Sequence, residues 1–121
     1  MQSILIVDDD NMMGTVLKEE LAEMGYNTAY VGSVDGAFEF LKTGSIDVML
    51  LDLKMPDKDG FELLKEYEGK DVPFRIIVLT AYADVQSAIR AKKMGAFDFL
   101  NKPYDFDELL IAIRNACQED D

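Results

Sequence analysis

Four aspartates of this sequence stand where they can hold a cation. Asp8, Asp9 and Asp10 are consecutive and follow one apolar run, and Asp52 follows another, VMLL. Two carboxylates about 5 Å apart repel each other by roughly 3 kcal/mol at an effective dielectric constant of about 20. A fold that brings these acids together therefore needs a positive charge among them. Mg²⁺ suits such a site, because it binds through a few carboxylates and several waters.

Two further polar side chains, Thr80 and Lys102, also follow apolar runs. An ammonium group neutralises phosphoryl oxygens, and a hydroxyl group donates a hydrogen bond to them. A carboxylate such as Asp52, placed beside these groups and Mg²⁺, can attack a phosphoryl donor and form an acyl phosphate. The residue types therefore predict phosphoryl-transfer chemistry if the fold gathers them at one point.

The apolar runs predict the strands that must position these side chains. Some runs are apolar at every position, as strands covered on both faces are, and others are mixed, as edge strands are. The fully apolar runs are Ile4–Val7, Val48–Leu51 and Ile76–Leu79, and the mixed runs are Thr28–Val31 and Phe97–Leu100.

Segments with helical spacing of apolar residues lie between and after these runs, and cap residues bound them. The boundary signals are Gly25 after the first helix, Ser33 and Gly44 around the second, Gly95 after the fourth, and Asp105 or Asp107 before the fifth. The second helix is predicted over Val34–Lys42. The other helices are defined by Met13, Val16, Leu17, Leu21 and Met24; by Phe61, Leu64 and Tyr67; by Val85, Ala88, Ile89 and Lys92 to Met94; and by Leu109, Leu110, Ile113, Ala116 and Cys117.

This alternation of strands and helices predicts an α/β protein with a doubly wound, five-stranded parallel sheet. The expected strand order is 2-1-3-4-5, and ligands of such sheets bind where the order reverses, at the carboxyl ends of strands 1 and 3. The polar residues that follow the strands should therefore meet at one edge of the sheet.

Composition bounds the remaining possibilities. The 121 residues suffice for a single domain, residues 1–121, and no apolar run reaches the roughly 18 residues of a membrane span. The absence of histidine excludes zinc sites that use histidine and Ser-His or Cys-His triads. A net charge of −12 disfavours direct contact with nucleic acid. The single cysteine, Cys117, cannot form an internal disulfide, which fits a cytoplasmic protein.

Four stretches, "ILIVDDD", "DVMLLDLKMPDKDG", "IIVLTAYAD" and "GAFDFLNKP", occur in this order along the chain. Through them the whole chain resembles the receiver domains of bacterial two-component response regulators, which have a flavodoxin-like fold. The segment from Thr80 to Leu109 is most similar to receivers of the nitrogen-regulator class of transcription activators.

The resemblance implies roles for the residues around the third strand and the first. Asp52 is expected to be the phosphoacceptor, and Asp9 a direct Mg²⁺ ligand. Asp8 is expected to act through water or as an outer metal ligand, and the backbone carbonyl of Lys54 to complete the protein ligands. Lys54 and Tyr82 occupy positions that tune the lifetime of the phosphorylated form in this family.

For the fourth and fifth strands, the resemblance implies that Thr80 and Lys102 bind the phosphoryl group. Phe99 is the expected switch aromatic, and because it lacks the hydroxyl of the Tyr found in many relatives, its switching rests on packing. The peptide bond from Lys102 to Pro103 is expected to be cis.

The function implied by the resemblance is signalling and not classical enzymatic turnover, although such a domain catalyses its own phosphorylation and slow dephosphorylation. A histidine kinase is the expected phosphodonor, with Mg²⁺ as the cofactor. Phosphorylation should remodel the face formed by helix 4, strand 5 and helix 5, and so control an output domain or a partner protein. Phosphorylation is also expected to allow the domain to form a homodimer. Contacts of this domain with nucleic acid or membrane are not expected.

Three other functions fit the residues less well. A phosphatase of the haloacid dehalogenase type needs D-x-D-x-[TV] after strand 1, and Met12 occupies the last position. A calcium loop of the EF-hand type would begin at Met55, which cannot bind the ion. A flavin site needs a loop rich in Ser, Thr and Gly, and the acids of "DDDNMMG" would repel the flavin phosphate. A structural domain without chemistry stays open if the convergence of polar residues is coincidental.

Some candidate residues have simpler interpretations. Asp10 is expected to cap the first helix, since an acid is favourable at a helix N-terminus. Asp57 and Asp59 are expected in a solvated turn with Pro56 and Gly60. Cys117 lies on the apolar stripe of the fifth helix and is interpreted as a small core residue.

Overall fold

Parallel strands form one sheet in the order β2-β1-β3-β4-β5, as the sequence predicts. The computed structural model describes residues 2–55, 59–81 and 85–118. Within these residues the strands are β1 Ser3–Val7, β2 Asn27–Val31, β3 Val48–Leu51, β4 Arg75–Thr80 and β5 Asp98–Asn101. Each predicted run therefore lies within one strand or overlaps it in all but one residue.

The strands that were predicted to be covered on both faces are the buried ones. All of Ile4–Val7 and Val48–Leu51 are buried, whereas β2 and β5 are partly exposed and lie at the edges of the sheet. Val7 pairs with Leu51 across β1 and β3. The residues that follow these two strands are therefore brought side by side.

Helices cover both faces of the sheet, and two apolar clusters fill the space beneath them. The helices are α1 Asn11–Glu23, α2 Val34–Thr43, α3 Gly60–Tyr67, α4 Val85–Lys93 and α5 Phe106–Gln118. α1 and α5 pack on one face through Leu17, Leu21 and Leu109, while α2, α3 and α4 pack on the other. No helix in residues 2–55, 59–81 and 85–118 is long and apolar enough to cross a membrane.

Side-chain caps begin α1, α2 and α3. Asp10 accepts from the Met13 amide at 3.1 Å and Ser33 from the Gly36 amide at 3.0 Å, so both predicted caps are confirmed. Asp59, which was predicted in a solvated turn, is exposed just before α3 and also caps this helix by accepting from the Glu62 amide at 3.3 Å. Asp57 and Pro56 lie outside the described residues.

The predicted glycines follow the ends of α1 and α4. Gly25 and Gly95 have φ of +97° and +110°, the left-handed region that glycine adopts without steric cost. At the start of α5, the Asp105 carboxylate accepts from the Asp107 amide at 2.9 Å, which decides between the two predicted starts.

Several apolar residues that define predicted helices do not face the core. Val16 and Met24 of the first helical pattern are about half exposed, and Val85 and Ile89 of the fourth are exposed as well. Helical spacing identifies a helix but does not decide which of two adjacent apolar stripes faces the sheet. In α1 the buried stripe instead runs through Gly14, Leu17 and Leu21.

Candidate functional site

The end of β1 places Asp8 inside the protein. Asp8 is only 2% exposed, and its carboxylate has two partners. Asp8 Oδ1 accepts from the Asp10 amide at 2.9 Å, and Asp8 Oδ2 accepts from Lys102 Nζ at 2.6 Å. Asp10 thus serves both as helix cap and as part of the loop that orients Asp8.

The end of β3 places Asp52 beside it. The Asp52 amide donates to the Val7 carbonyl at 3.0 Å, which continues the pairing of β1 with β3 by one residue. The side chain is buried, and its Oδ1 accepts from the Lys54 amide at 3.3 Å. Asp52 Oδ2 lies 3.6 Å from Lys102 Nζ.

A glycine makes room for the Asp52 loop. A Cβ atom at Gly60 would lie 2.5 Å from the Asp52 carbonyl oxygen, closer than real Cβ contacts allow. The Gly60 amide also donates to the Leu53 carbonyl at 2.8 Å. The start of α3 therefore packs directly on the backbone that carries Asp52, and only glycine fits there.

Lys102 supplies the cation between the two buried acids. Its amide donates to the Thr80 carbonyl at 2.9 Å, which fixes the loop after β5 against the end of β4. The peptide bond to Pro103 is cis, as predicted. One ammonium group cannot balance three carboxylates, so the site keeps an excess of negative charge.

Carboxylate oxygens of Asp8, Asp9 and Asp52 all lie within 4.8 Å of one another. Asp8 and Asp52 are buried and Asp9 is exposed, so the cluster opens to solvent on one side. This donor set fits Mg²⁺, which takes oxygen ligands and retains several waters.

Burial raises the pKa of the Asp52 carboxyl group above its usual value. Lys102 opposes this shift, the negative charge of Asp8 adds to it, the Lys54 amide lowers the pKa again, and Asp9 raises it. The environment thus disfavours the ionised form of Asp52. A cation beside the carboxylate, or a covalent bond to it, would reduce this electrostatic cost.

Thr80 and Phe99 lie on adjacent strands. Thr80 is fully buried at the end of β4, where it pairs with Asn101 of β5. Phe99 is partly buried on β5 and pairs with Val78. Both predicted switch residues therefore lie at the same side of the sheet. Tyr82 lies outside the described residues.

The sequence patterns gave no sign of Tyr30. Its hydroxyl donates to the Asp8 carbonyl oxygen at 2.6 Å, although β2 was recognised only as an edge strand. Alternating polarity identifies a strand but does not indicate that a tyrosine crosses over the end of its neighbour.

Comparison with known proteins decides the family. Residues 4–114 match the response regulator receiver domain. The chain belongs to this family. It is thus a receiver domain of the two-component type, which is a signalling domain.

Curated relatives of this receiver domain are bacterial transcription regulators. It is 36% identical to the regulatory protein AtoC of Escherichia coli over 95% of the chain, and 38% identical to the transcriptional regulatory protein ZraR of the same organism over 93%. It is also 36% identical to the DNA-binding transcriptional regulator NtrC of Klebsiella pneumoniae over 92%. The receiver domain spans about a quarter of the length of each of these relatives.

Solved structures of receiver domains share the fold. A Francisella response regulator receiver domain superposes with a TM-score of 0.92 at 28% identity, covering 100% of both chains. The beryllofluoride-activated NtrC4 receiver domain dimer gives 0.90 at 31% identity and 98% coverage of both chains. TrrA of Thermotoga maritima, in complex with Mg²⁺ and beryllofluoride, gives 0.84 at 33% identity, covering 96% of this chain and 99% of its own.

Proposed function

We propose that Asp52 is the phosphoacceptor of a receiver domain that occupies residues 1–121, and that a histidine kinase of the cytoplasm is its phosphodonor. The observation that carries the proposal is the position of Asp52. Its carboxylate is buried at the carboxyl end of β3, with Asp8, Asp9 and Lys102 around it. Membership of the receiver family and the charge balance of the site both favour this assignment.

The chemical step transfers one phosphoryl group. An Asp52 carboxylate oxygen forms a bond to phosphorus while the bond from phosphorus to the donor's imidazole nitrogen breaks. The nitrogen keeps the electron pair of that bond and takes up a proton, so the donor histidine is regenerated and Asp52 becomes an acyl phosphate. Hydrolysis of the acyl phosphate releases inorganic phosphate and restores the carboxylate, which is the slow self-dephosphorylation we expect.

Asp9 and Asp52 would hold Mg²⁺ directly, with the Lys54 carbonyl as a further ligand and Asp8 acting through water. When bound, Mg²⁺ neutralises phosphoryl oxygens. The carboxylate cluster supports this assignment, and so does the relative TrrA, whose complex contains Mg²⁺ and beryllofluoride. Once the Lys102 ammonium group moves away from the Asp52 carboxylate, it would contribute a second positive charge to the phosphoryl group. Lys54 and Tyr82 would set how readily water reaches the phosphoryl group.

Phosphorylation would act on the face formed by α4, β5 and α5. The Thr80 hydroxyl would donate to a phosphoryl oxygen, and its movement would leave space into which Phe99 packs. The altered face would then control an output domain or a partner protein, or form a homodimer, as is seen in the NtrC4 receiver. The acidic domain itself would not contact nucleic acid or membrane.

Intact mass spectrometry tests the phosphoacceptor directly. With Mg²⁺ and acetyl phosphate, the wild-type mass should increase by one phosphoryl group, and removal of Mg²⁺ by EDTA should prevent this. Asp52→Asn should abolish the increase, whereas Asp71→Asn, an exposed substitution with the same charge change, should not. Phosphorylation of Asp52→Asn at another residue would reject the assignment.

NMR chemical shifts test the switch. Beryllofluoride should shift resonances across residues 85–105 in the wild type. Thr80→Ala should greatly reduce this response, Thr80→Ser should retain it because it keeps the hydroxyl, and Phe99→Leu should weaken it. A full response in Thr80→Ala, with beryllofluoride still bound, would exclude the proposed coupling of Thr80 to Phe99.

A further inference from the structure

The side chain of Tyr30 reaches from the edge strand β2 over the end of β1. Its hydroxyl donates to the Asp8 carbonyl oxygen at 2.6 Å, the same distance that separates Lys102 Nζ from the Asp8 carboxylate. Lys102, which follows β5, thus binds the side chain of Asp8, while Tyr30 of β2 binds its backbone.

Gly14 of α1 leaves room for the tyrosine ring. A Cβ atom at Gly14 would lie 2.2 Å from Tyr30 Cε1 and 2.8 Å from its Cζ, so any other residue at this place in α1 would displace the ring. A Cβ atom at Gly32 would lie 3.4 Å from the Tyr30 hydroxyl. Glycine within a helix is unfavourable by about 1 kcal/mol relative to alanine, so the position of Gly14 has a cost that ring packing offsets.

The bonded carbonyl oxygen belongs to the peptide unit that joins Asp8 to Asp9. That unit is planar, so holding the Asp8 carbonyl oxygen also fixes the orientation of the Asp9 amide. Asp9 is exposed and lies at the open side of the carboxylate cluster. The direction of the Asp9 carboxylate therefore depends on the orientation of the Asp8–Asp9 peptide unit.

We propose that Tyr30 is a positioning residue for the Mg²⁺ site: its hydrogen bond to the Asp8 carbonyl fixes the Asp8–Asp9 peptide and so directs the Asp9 carboxylate toward the cation. This inference rests on the Mg²⁺ site of the proposed function. Without the bond the loop samples other orientations, and the apparent affinity falls in proportion to the population that stays competent.

The test is the Mg²⁺ dissociation constant, measured by calorimetry and by NMR titration of the amides of Asp8–Asp10 and Asp52. Tyr30→Phe removes only the hydroxyl and should weaken Mg²⁺ binding by about fivefold, the ratio that corresponds to one net hydrogen bond. Tyr26→Phe is the matched control just before β2, far from Asp8, and should bind Mg²⁺ as the wild type does.

A second pair of variants tests the geometry. Gly14→Ala should weaken Mg²⁺ binding in the wild type, because the new methyl group displaces the Tyr30 ring. In a Tyr30→Leu background, which already lacks the hydroxyl, Gly14→Ala should have little further effect on Mg²⁺ affinity. This non-additivity would support the proposal, whereas an equal effect in both backgrounds would overturn it.

Urea unfolding without Mg²⁺ separates positioning from a general effect on the fold. If Tyr30→Phe lowers the free energy of unfolding but leaves the Mg²⁺ dissociation constant unchanged in folded protein, the inference is wrong while the proposed function stands. If the wild type itself binds no Mg²⁺, both are wrong.

Discussion

Two helices that border the site, α1 and α4, are attached to the sheet in different ways. α1 begins at a capping aspartate and buries Gly14, Leu17 and Leu21 against the sheet. α4 buries Ala91, while Val85 is 74% and Ile89 is 49% exposed.

Two contacts of α4 involve exposed charged side chains. The Arg90 guanidinium lies 4.0 Å from the centre of the Phe61 ring of α3, and Lys92 Nζ donates to the Phe97 carbonyl at 2.8 Å. Burial of apolar area provides most folding free energy, so α4 has less to lose by moving than α1 has. α1 is therefore expected to be held more firmly on the sheet than α4.

The largest expected difference between the two helices is in stability. Leu17→Ala should lower the free energy of unfolding by about 3 kcal/mol, because it leaves a cavity between α1 and the sheet. Ile89→Ala in α4 should change it by less than about 0.5 kcal/mol, since the side chain is half exposed and alanine favours helix. Urea unfolding of both variants measures this, and comparable losses would show that α4 is packed as firmly as α1.

The next largest effect concerns the carboxylate cluster that precedes α1. Asp9→Asn removes one of the clustered carboxylates and should weaken Mg²⁺ binding about 30-fold, or about 2 kcal/mol. Glu23→Gln, at the exposed far end of α1, removes the same charge and should change the affinity little. Calorimetric titration measures both, and similar losses would mean that net charge and not the cluster determines binding.

A smaller effect follows from the buried acid between the two borders. The pKa of Asp52 is raised in the folded state, so this carboxyl group stabilises the fold below its unfolded pKa and loses that contribution as the pH rises through its folded pKa. Asp52→Asn should therefore raise the free energy of unfolding without Mg²⁺ by about 1 kcal/mol at pH 7. The gain should shrink as the pH is lowered toward 4.

Thermal unfolding of the wild type and of Asp52→Asn across this pH range, in EDTA, checks the sign. Asp71→Asn serves as the exposed control and should show no such trend. An Asp52→Asn variant less stable than the wild type at neutral pH would contradict the account of burial and like charge.

The smallest expected effect is at α4, which buries less apolar surface than α1. Arg90→Gln removes the guanidinium from the Phe61 ring and should lower the free energy of unfolding by about 0.5 kcal/mol. The amides of α4 should nevertheless exchange with deuterium measurably faster than in the wild type, while those of α1 should not. Lys93→Gln, which removes an exposed positive charge at the last residue of α4, is the control. If amide exchange in α4 is accelerated equally in this variant, a specific role for Arg90 is excluded.

Most of the fold was predictable because it follows from apolar runs and caps. The strands β1 and β3 are buried on both faces, so their sequences are apolar throughout and easy to recognise. Ser33 and Asp10 are caps in the expected places. What the patterns did not decide was which apolar residues of α1 and α4 face solvent, because that depends on the rotation of each helix on the sheet.

The site was predictable to the extent that it lies at strand ends. Asp8, Asp52 and Lys102 each follow a strand, and parallel topology brings such positions together. The role of Asp59 as a cap depends on where α3 starts, and the contact of Tyr30 depends on a side chain that crosses to another strand. The first is marked by the local pattern D-x-x-E at residues 59–62, which signals a helix start, whereas the second is not encoded in a local pattern.

The ion pair between Lys102 and Asp8 joins residues 94 positions apart in the chain. Synthesis proceeds from the N-terminus, so Asp8 and Asp52 leave the ribosome well before Lys102 does. If β1 and β3 pair before β5 docks, the two acids lie close together without the ammonium group of Lys102. Lys102, which follows β5, thus supplies positive charge to a site whose acids follow the first and the third strands.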